Sequence, residues 1–286
     1  MKDSLREAVR REPVLVAVGL AGLAIGLACL VVAAVRGTSI PPEGHMLDAA
    51  TFSAGVGIFT LTVALLLPIA EFSNRARVRW RRTYLVFAVY GLTLEPLQSY
   101  RGIDPRFTEV GDTLDSVAGI VFGITAVLNT VVFVVLGLRF FRSTVLANRP
   151  TLRLGIRYGA ASVALSFGVG ILMSVASGRE IGDDGNLLLA HGLGVHGLQT
   201  VPLVALVLEG SAIRSKTAWV HVIGVGWLTA AAAALIQALL AVLPSTRCPS
   251  RRCSWRGSRS GRSEASTSRR RVHATKTYCC RDSVAG

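Results

Sequence analysis

Long apolar blocks separated by short polar stretches organise this chain. They run over residues 14–35, 47–69, 83–98, 114–138, 158–177, 187–208 and 218–243. Most reach the roughly 20 residues that a helix needs to cross the hydrocarbon of a bilayer. They show neither the two-residue alternation of a half-buried strand nor the single apolar stripe of a soluble helix. The pattern predicts an all-α, polytopic membrane helix bundle with seven transmembrane helices. The third block is the weakest, because it is short and interrupted by Glu95 and Pro96, but it reaches spanning length if the helix runs on to Tyr100.

A basic leader, residues 1–13 with Lys2, Arg6, Arg10 and Arg11, precedes the first block. At about 22 residues that block is longer than the apolar core of a secretory signal peptide, so it is expected to be a retained span. Its Gly22 and Gly26 form a GxxxG pair, which permits close contact with a neighbouring helix.

The basic residues of the loops orient the bundle. With the N-terminus inside, the cytoplasmic segments collect the leader, Arg75, Arg77, Arg79, Arg81, Arg82, Arg139, Arg142, Arg149, Arg153, Arg157, Arg214 and Lys216. The outer loops keep only Arg36, Arg101, Arg106 and Arg179. This bias predicts a cytoplasmic N-terminus in a bacterial inner membrane.

Composition agrees: 51% of the 286 residues are hydrophobic, too many for an ordinary soluble domain. The formal charge of +14 would suggest a nucleic-acid partner if it lay on the folded part. Most of it lies instead in the segment 244–286, rich in Arg, Ser and Cys, and topology accounts for the rest, so no nucleic acid is expected. The segment has no helical or strand period and is expected to be disordered. Either it is an anionic-lipid-binding tail, or it has the composition of a GC-rich gene read out of frame; no function is assigned to it. Four of the five cysteines fall there, without the spacing of a zinc site, and Cys29 stands alone in the first span.

Polar residues inside spans are costly unless they face a partner or a cavity, so they mark the candidate site. The stretch 190–203, AHGLGVHGLQTVPL, places His191, His196 and Gln199 in the sixth span, with Pro202 able to kink it nearby. At about 1.5 Å of rise per residue, His191 lies roughly 6 Å and His196 roughly 13 Å below the outer face. Glu95 and Asp115 sit near the outer ends of the third and fourth spans, and Asn129 lies in the middle of the fourth. Together they suggest a polar pocket in the outer half, built by spans 2, 3, 4 and 6.

Three chemistries fit these groups. His191 and His196 with Glu95 are candidate ligands for zinc, iron or haem. Two histidines five residues apart are about 140° apart around a regular helix, so a metal site would need a π-bulge among Gly192, Gly194 and Gly197. Glu95 and His196 could instead relay a proton, since imidazole titrates near neutrality. The simplest use is a pair of interhelical hydrogen bonds. No phosphate-binding GxxxxGK[ST] or strand-flanked GxGxxG occurs, which argues against a nucleotide-driven pump or a Rossmann dehydrogenase.

Glu95, Gln98, Arg101, Gly102 and Phe107, followed by Asp115, resemble a segment in a family of uncharacterised bacterial polytopic membrane proteins. The 191–203 stretch resembles a later segment of the same family, in the same order. The chain departs from that pattern at Arg106, where the family has His, and at Thr108, where it has Asn. The resemblance implies a shared set of site residues and carries no activity. The expectation is therefore a membrane permease or channel for a small solute or ion. Glu95 and His196 would be proton-active, Gln199 and Asn129 would orient by hydrogen bonding, and Arg101 would stand at the mouth. The alternatives are a membrane-embedded metal or haem enzyme and a non-catalytic sensor or assembly subunit. The expected partners are the lipid bilayer and that solute; cofactor and oligomeric state stay open.

Overall fold

A computed structural model describes residues 9–142, 144–182 and 185–241. The segment 244–286, four of the cysteines, Asp183, Asp184 and the start of the basic leader lie outside the described residues.

Seven long helices follow one another: α1 (Pro13–Arg36), α2 (Met46–Leu66), α3 (Asn74–Tyr100), α4 (Thr113–Arg139), α5 (Pro150–Val175), α6 (Leu188–Gly210) and α7 (Lys216–Leu240). One 3₁₀ turn, Leu67–Ile69, continues α2. Two small antiparallel hairpins complete the described structure. β1 (Ser39–Ile40) pairs with β2 (Gly44–His45), and β3 (Glu180–Ile181) pairs with β4 (Gly185–Asn186). Six of the helices, all but α3, are long and apolar enough to cross a membrane. The exception follows from composition. The first turns of α3 carry Arg75, Arg77, Arg79, Arg81 and Arg82, and its last turns carry Glu95 and Gln98.

Each helix lies antiparallel to the next, as side-chain pairs at both ends of each interface show. Phe52 meets Gly91 and Thr60 meets Tyr84 between α2 and α3, while Trp80 reaches Val132 and Gln98 reaches Asp115 between α3 and α4. All the hairpins therefore gather at one end of the bundle, here the hairpin end. The opposite, arginine end holds the starts of α1, α3, α5 and α7.

Small residues set the two tightest helix pairs. On α1, a Cβ added at Gly22 would lie 2.8 Å from Gly57 Cα, and one at Gly26 would lie 3.0 Å from the Ala50 carbonyl. On α5 and α6, Gly159 faces Leu198, and Gly194 faces Ser162 and Ser166. Among helices in lipid, contact is favoured by close backbone approach and packing rather than by expulsion of water, and such residues allow it. The middle of the bundle is aromatic. Trp80 stacks on Tyr84 at 5.4 Å, Phe133 meets both edge-on, and the Thr60 and Tyr84 hydroxyls share a 2.5 Å hydrogen bond.

The outer faces are apolar as well. On α4, Leu114, Ile120, Val127, Val131 and Leu138 are all more than half exposed, over a surface far larger than a soluble monomer leaves uncovered.

At the arginine end, Glu12 is fully buried at the start of α1, with Arg81 at 3.0 Å and Arg77 at 3.6 Å. Arg149 pairs with Glu209, whose other oxygen accepts from the Leu152 amide at the start of α5. Arg139 closes the turn after α2 by donating to the carbonyls of Ala70 and Glu71.

Candidate functional site at the hairpin end

Glu95 lies on the face of α3 turned toward α2 and α4 and is 1% exposed. A buried carboxylate needs a partner, and Arg106 supplies it. This residue belongs to the 101–112 loop and turns back into the bundle, placing its guanidinium 2.7 Å from Glu95 Oε2. The same guanidinium lies 5.4 Å from the ring centres of both Phe52 on α2 and Phe122 on α4. Two aromatic faces and one carboxylate thus surround the charge, a setting that favours a cation. The rings also close the space below it. They pack against Gly91, where a Cβ would lie 3.1 Å from Phe52.

One turn beyond Glu95, a second cluster forms. Asp115 opens α4 in a reciprocal cap: its amide donates to Asp112 Oδ1 at 2.9 Å, and its own carboxylate accepts from the Asp112 amide. The carboxylate also accepts from Gln98 at 2.8 Å and from Arg101 at 2.6 Å, while Arg101 donates to Gln98 Oε1 at 2.7 Å. Gln98 and Arg101, three residues apart at the end of α3, share a helix face, so both reach one carboxylate. The bond to Asp115 raises the Arg101 guanidinium above its usual range.

A third group holds the loop that carries Arg106. Glu43, in the β1–β2 turn, accepts from the Thr108 hydroxyl at 2.6 Å, the Glu109 amide at 2.8 Å and the Asp104 amide at 3.2 Å. Partial burial works to raise the Glu43 carboxyl, but these hydrogen bonds outweigh it and hold the group below its ordinary value. Asp104 in turn accepts from the amides of Arg106 and Phe107 at 2.7 and 2.8 Å. Gly44 and Gly102 let the turn and the loop approach closely; Gly102 has φ +80, and a Cβ there would collide with the Pro41 carbonyl.

The α6 residues lie elsewhere. His191 Nδ1 is 3.0 Å from both the hydroxyl and the carbonyl of Ser166 on α5, and that hydroxyl donates to the His191 carbonyl at 2.8 Å. His196 is exposed, and its Nδ1 lies 3.3 Å from Gln199. With its amide turned to satisfy its neighbours, Gln199 donates to the carbonyls of Val195 and His196, one turn back on the same helix. Helix α6 stays α-helical through all three glycines, so no π-bulge brings the two histidines onto one face. Asn129 lies about two turns beyond Phe122 along α4, toward the arginine end, and its enclosed Oδ1 has no hydrogen-bond partner among the described residues.

The structure therefore brings together Glu95, Gln98, Arg101 and Asp115 in two adjoining clusters at one end of α3 and α4. His191 joins Ser166, and His196 with Gln199 stands apart. Among the described residues, no three His, Cys, Asp or Glu side chains converge on a place that could hold a metal ion. Three participants were not singled out from sequence. Arg106 had a signal, a cation one loop away from a carboxylate, Glu95, in an otherwise apolar stretch. Glu43 and Ser166 had none, because each acts on a segment distant along the chain.

Six apolar helices of spanning length, with apolar outer faces and ion pairs held inside, make this a multi-pass helical membrane protein. No protein-family model, curated protein or solved structure matches the chain.

Proposed function

We propose that the chain is a seven-span, proton-linked permease for a small solute or ion in a bacterial inner membrane, that it passes protons through Glu95 with or without its solute, and that the arginine end lies in the cytoplasm. The seventh span is α3. It runs antiparallel to both α2 and α4, so if those two cross in one direction, α3 returns between them. The excess of arginine at one end favours that end as the cytoplasmic one.

One observation carries the functional reading: a series of buried or half-buried polar groups lies on a single face of α3, interrupted between Tyr84 and Glu95 by the apolar turns of Ala88 and Gly91. It starts at Glu95 with Arg106 and passes Tyr84 with Thr60. It ends at Arg81 and Arg77 with the fully buried Glu12. Arg77 lies about five turns from Glu95 on the same helical line. A bilayer-crossing helix with this much buried polarity is expected where protons or ions pass. Protonation of Glu95 cancels its attraction for Arg106 and frees the loop that closes the hairpin end; deprotonation draws the arginine back. His196, exposed on α6, has no part in this series.

The test uses the full chain in liposomes containing a pH-sensitive dye, with an imposed pH gradient and valinomycin with potassium to balance charge. Wild type is expected to dissipate the gradient faster than protein-free liposomes, Glu95→Gln to fall to the protein-free rate, and His196→Ala to match wild type. Wild-type liposomes no faster than empty ones, or Glu95→Gln as fast as wild type, would overturn the reading.

A further inference from the structure

Far from the polar site, an apolar crevice of about 180 Å³ separates α4 from α5 toward the arginine end. Phe133, Phe140, Ile156, Ala160, Ala164 and Phe167 line it. Its origin is a run of small residues between large rings. Gly137 approaches Ala160, where a Cβ would lie 3.2 Å away, while the rings on either side hold the helices apart. Val134, Leu138 and Phe141 line the crevice too, and each is more than 40% exposed, so it opens sideways on the apolar outer face.

The mouth of this crevice is positively charged. Arg157 donates from Nε to the Phe140 carbonyl at 2.8 Å and from its other arm to the Phe141 carbonyl at 3.2 Å, which fixes its guanidinium at the turn that ends the crevice. Arg139 gives its guanidinium to the carbonyls of Ala70 and Glu71, and Arg142, in the turn itself, is exposed. No carboxylate among the described residues pairs with any of these three. Backbone carbonyls satisfy their donors without cancelling their charge.

An apolar slot open to the side, with uncompensated guanidiniums at its end, matches a molecule with an alkyl chain beneath an anion. We infer that this crevice binds an anionic glycerophospholipid, with one acyl chain between the α4 and α5 rings and the phosphate facing Arg142 and Arg157. A second copy of the chain fits less well, because it would bring its own arginine rim against this one. The inference is independent of proton movement at Glu95.

Native mass spectrometry of the full chain in detergent tests it, with equimolar phosphatidylglycerol and phosphatidylcholine of identical acyl chains. Wild type is expected to retain phosphatidylglycerol preferentially. Arg142→Ala should lower that preference about fivefold, the effect of one arginine near an anionic headgroup. Ala164→Phe, which fills the slot from an exposed position, should abolish retention of both lipids; Ala160→Leu, one turn nearer the arginine end on the same face of α5, fills it if the first variant does not fold. Glycerol phosphate, which has no chain to insert, should give no adduct. Equal retention of the two lipids would overturn the inference, as would undiminished phosphatidylglycerol in a folded filled variant. A dimer that Ala164→Phe dissociates would also overturn it, by giving the crevice to a second copy.

Discussion

At the scale of single residues, the hairpin end shows how a membrane protein accommodates charge by supplying each ion with its own partner. Glu95 has Arg106, Asp115 has Arg101 and Gln98, and Asp48 has Arg179 at 2.9 Å. Breaking a buried pair by removing one member costs about 3–5 kcal/mol, because the remaining charge is left in a poor solvent. Glu43 differs in that its partners are mostly backbone amides, so its protonation state controls a loop rather than another side chain. Its carboxyl is held below the ordinary value of 4.5. A depressed folded value means that the stabilisation is fully present above that ordinary value and is lost as the pH falls through the lower folded one. Hydrogen exchange of residues 104–110, corrected for intrinsic rates, should stay slow from neutral pH down to about 5 and quicken below about 4. Glu43→Gln should exchange quickly throughout. Protection in the wild type that does not change with acid would contradict this account. The sequence marked Glu95 and Asp115 through their cost in lipid, but it could not pair them. Arg101 and Arg106 are both loop cations within reach, and the choice between them depends on the path of a loop anchored by Glu43, more than 60 residues away along the chain.

At the scale of helices, glycine does what side-chain hydrophobicity cannot. The GxxxG pair Gly22 and Gly26 was only a permissive signal in sequence, since a chain with 29 glycines produces such spacings by chance. In the structure both face α2, with Gly57 opposite Gly22. Gly22→Leu should therefore lower the thermal midpoint of the purified protein, at a cost of about 1–3 kcal/mol, because the clash is with backbone and no side chain can move aside. Gly123→Leu, at a position with open space around it, should leave the midpoint nearly unchanged. Equal effects at the two positions would show that α1 and α2 do not rely on this approach. The helix boundaries were legible to within a few residues for most of the helices. The clearest exceptions are α3, which begins at Asn74 rather than at residue 83, and α5, which begins at Pro150 rather than at residue 158. Both starts are arginine-rich, and hydropathy ends a span where charge begins, whereas a helix continues as long as its backbone bonds are made.

At the scale of the whole molecule, α3 is the element around which the first four helices arrange their polar contacts, and it is also the least apolar. Its arginines meet the start of α1, and its final turns meet α4 and the β1–β2 turn. The proposed orientation has a direct readout in a full chain whose native cysteines are replaced by serine. A membrane-impermeant maleimide should label Ser39→Cys and Ser177→Cys in intact cells, and Ala147→Cys and Ser215→Cys only after permeabilisation. The reverse pattern would invert the topology. By itself the sequence determined the class: blocks of about 20 apolar residues are an additive property of local composition, and lipid leaves the backbone little choice but a helix. Only the tertiary structure decided which polar groups meet. The expected outer pocket becomes two adjoining clusters on α3 and α4, with the α6 histidines elsewhere, because hydrogen bonds and ion pairs depend on distances of a few ångströms between segments far apart in sequence, and no periodicity along the chain encodes those distances.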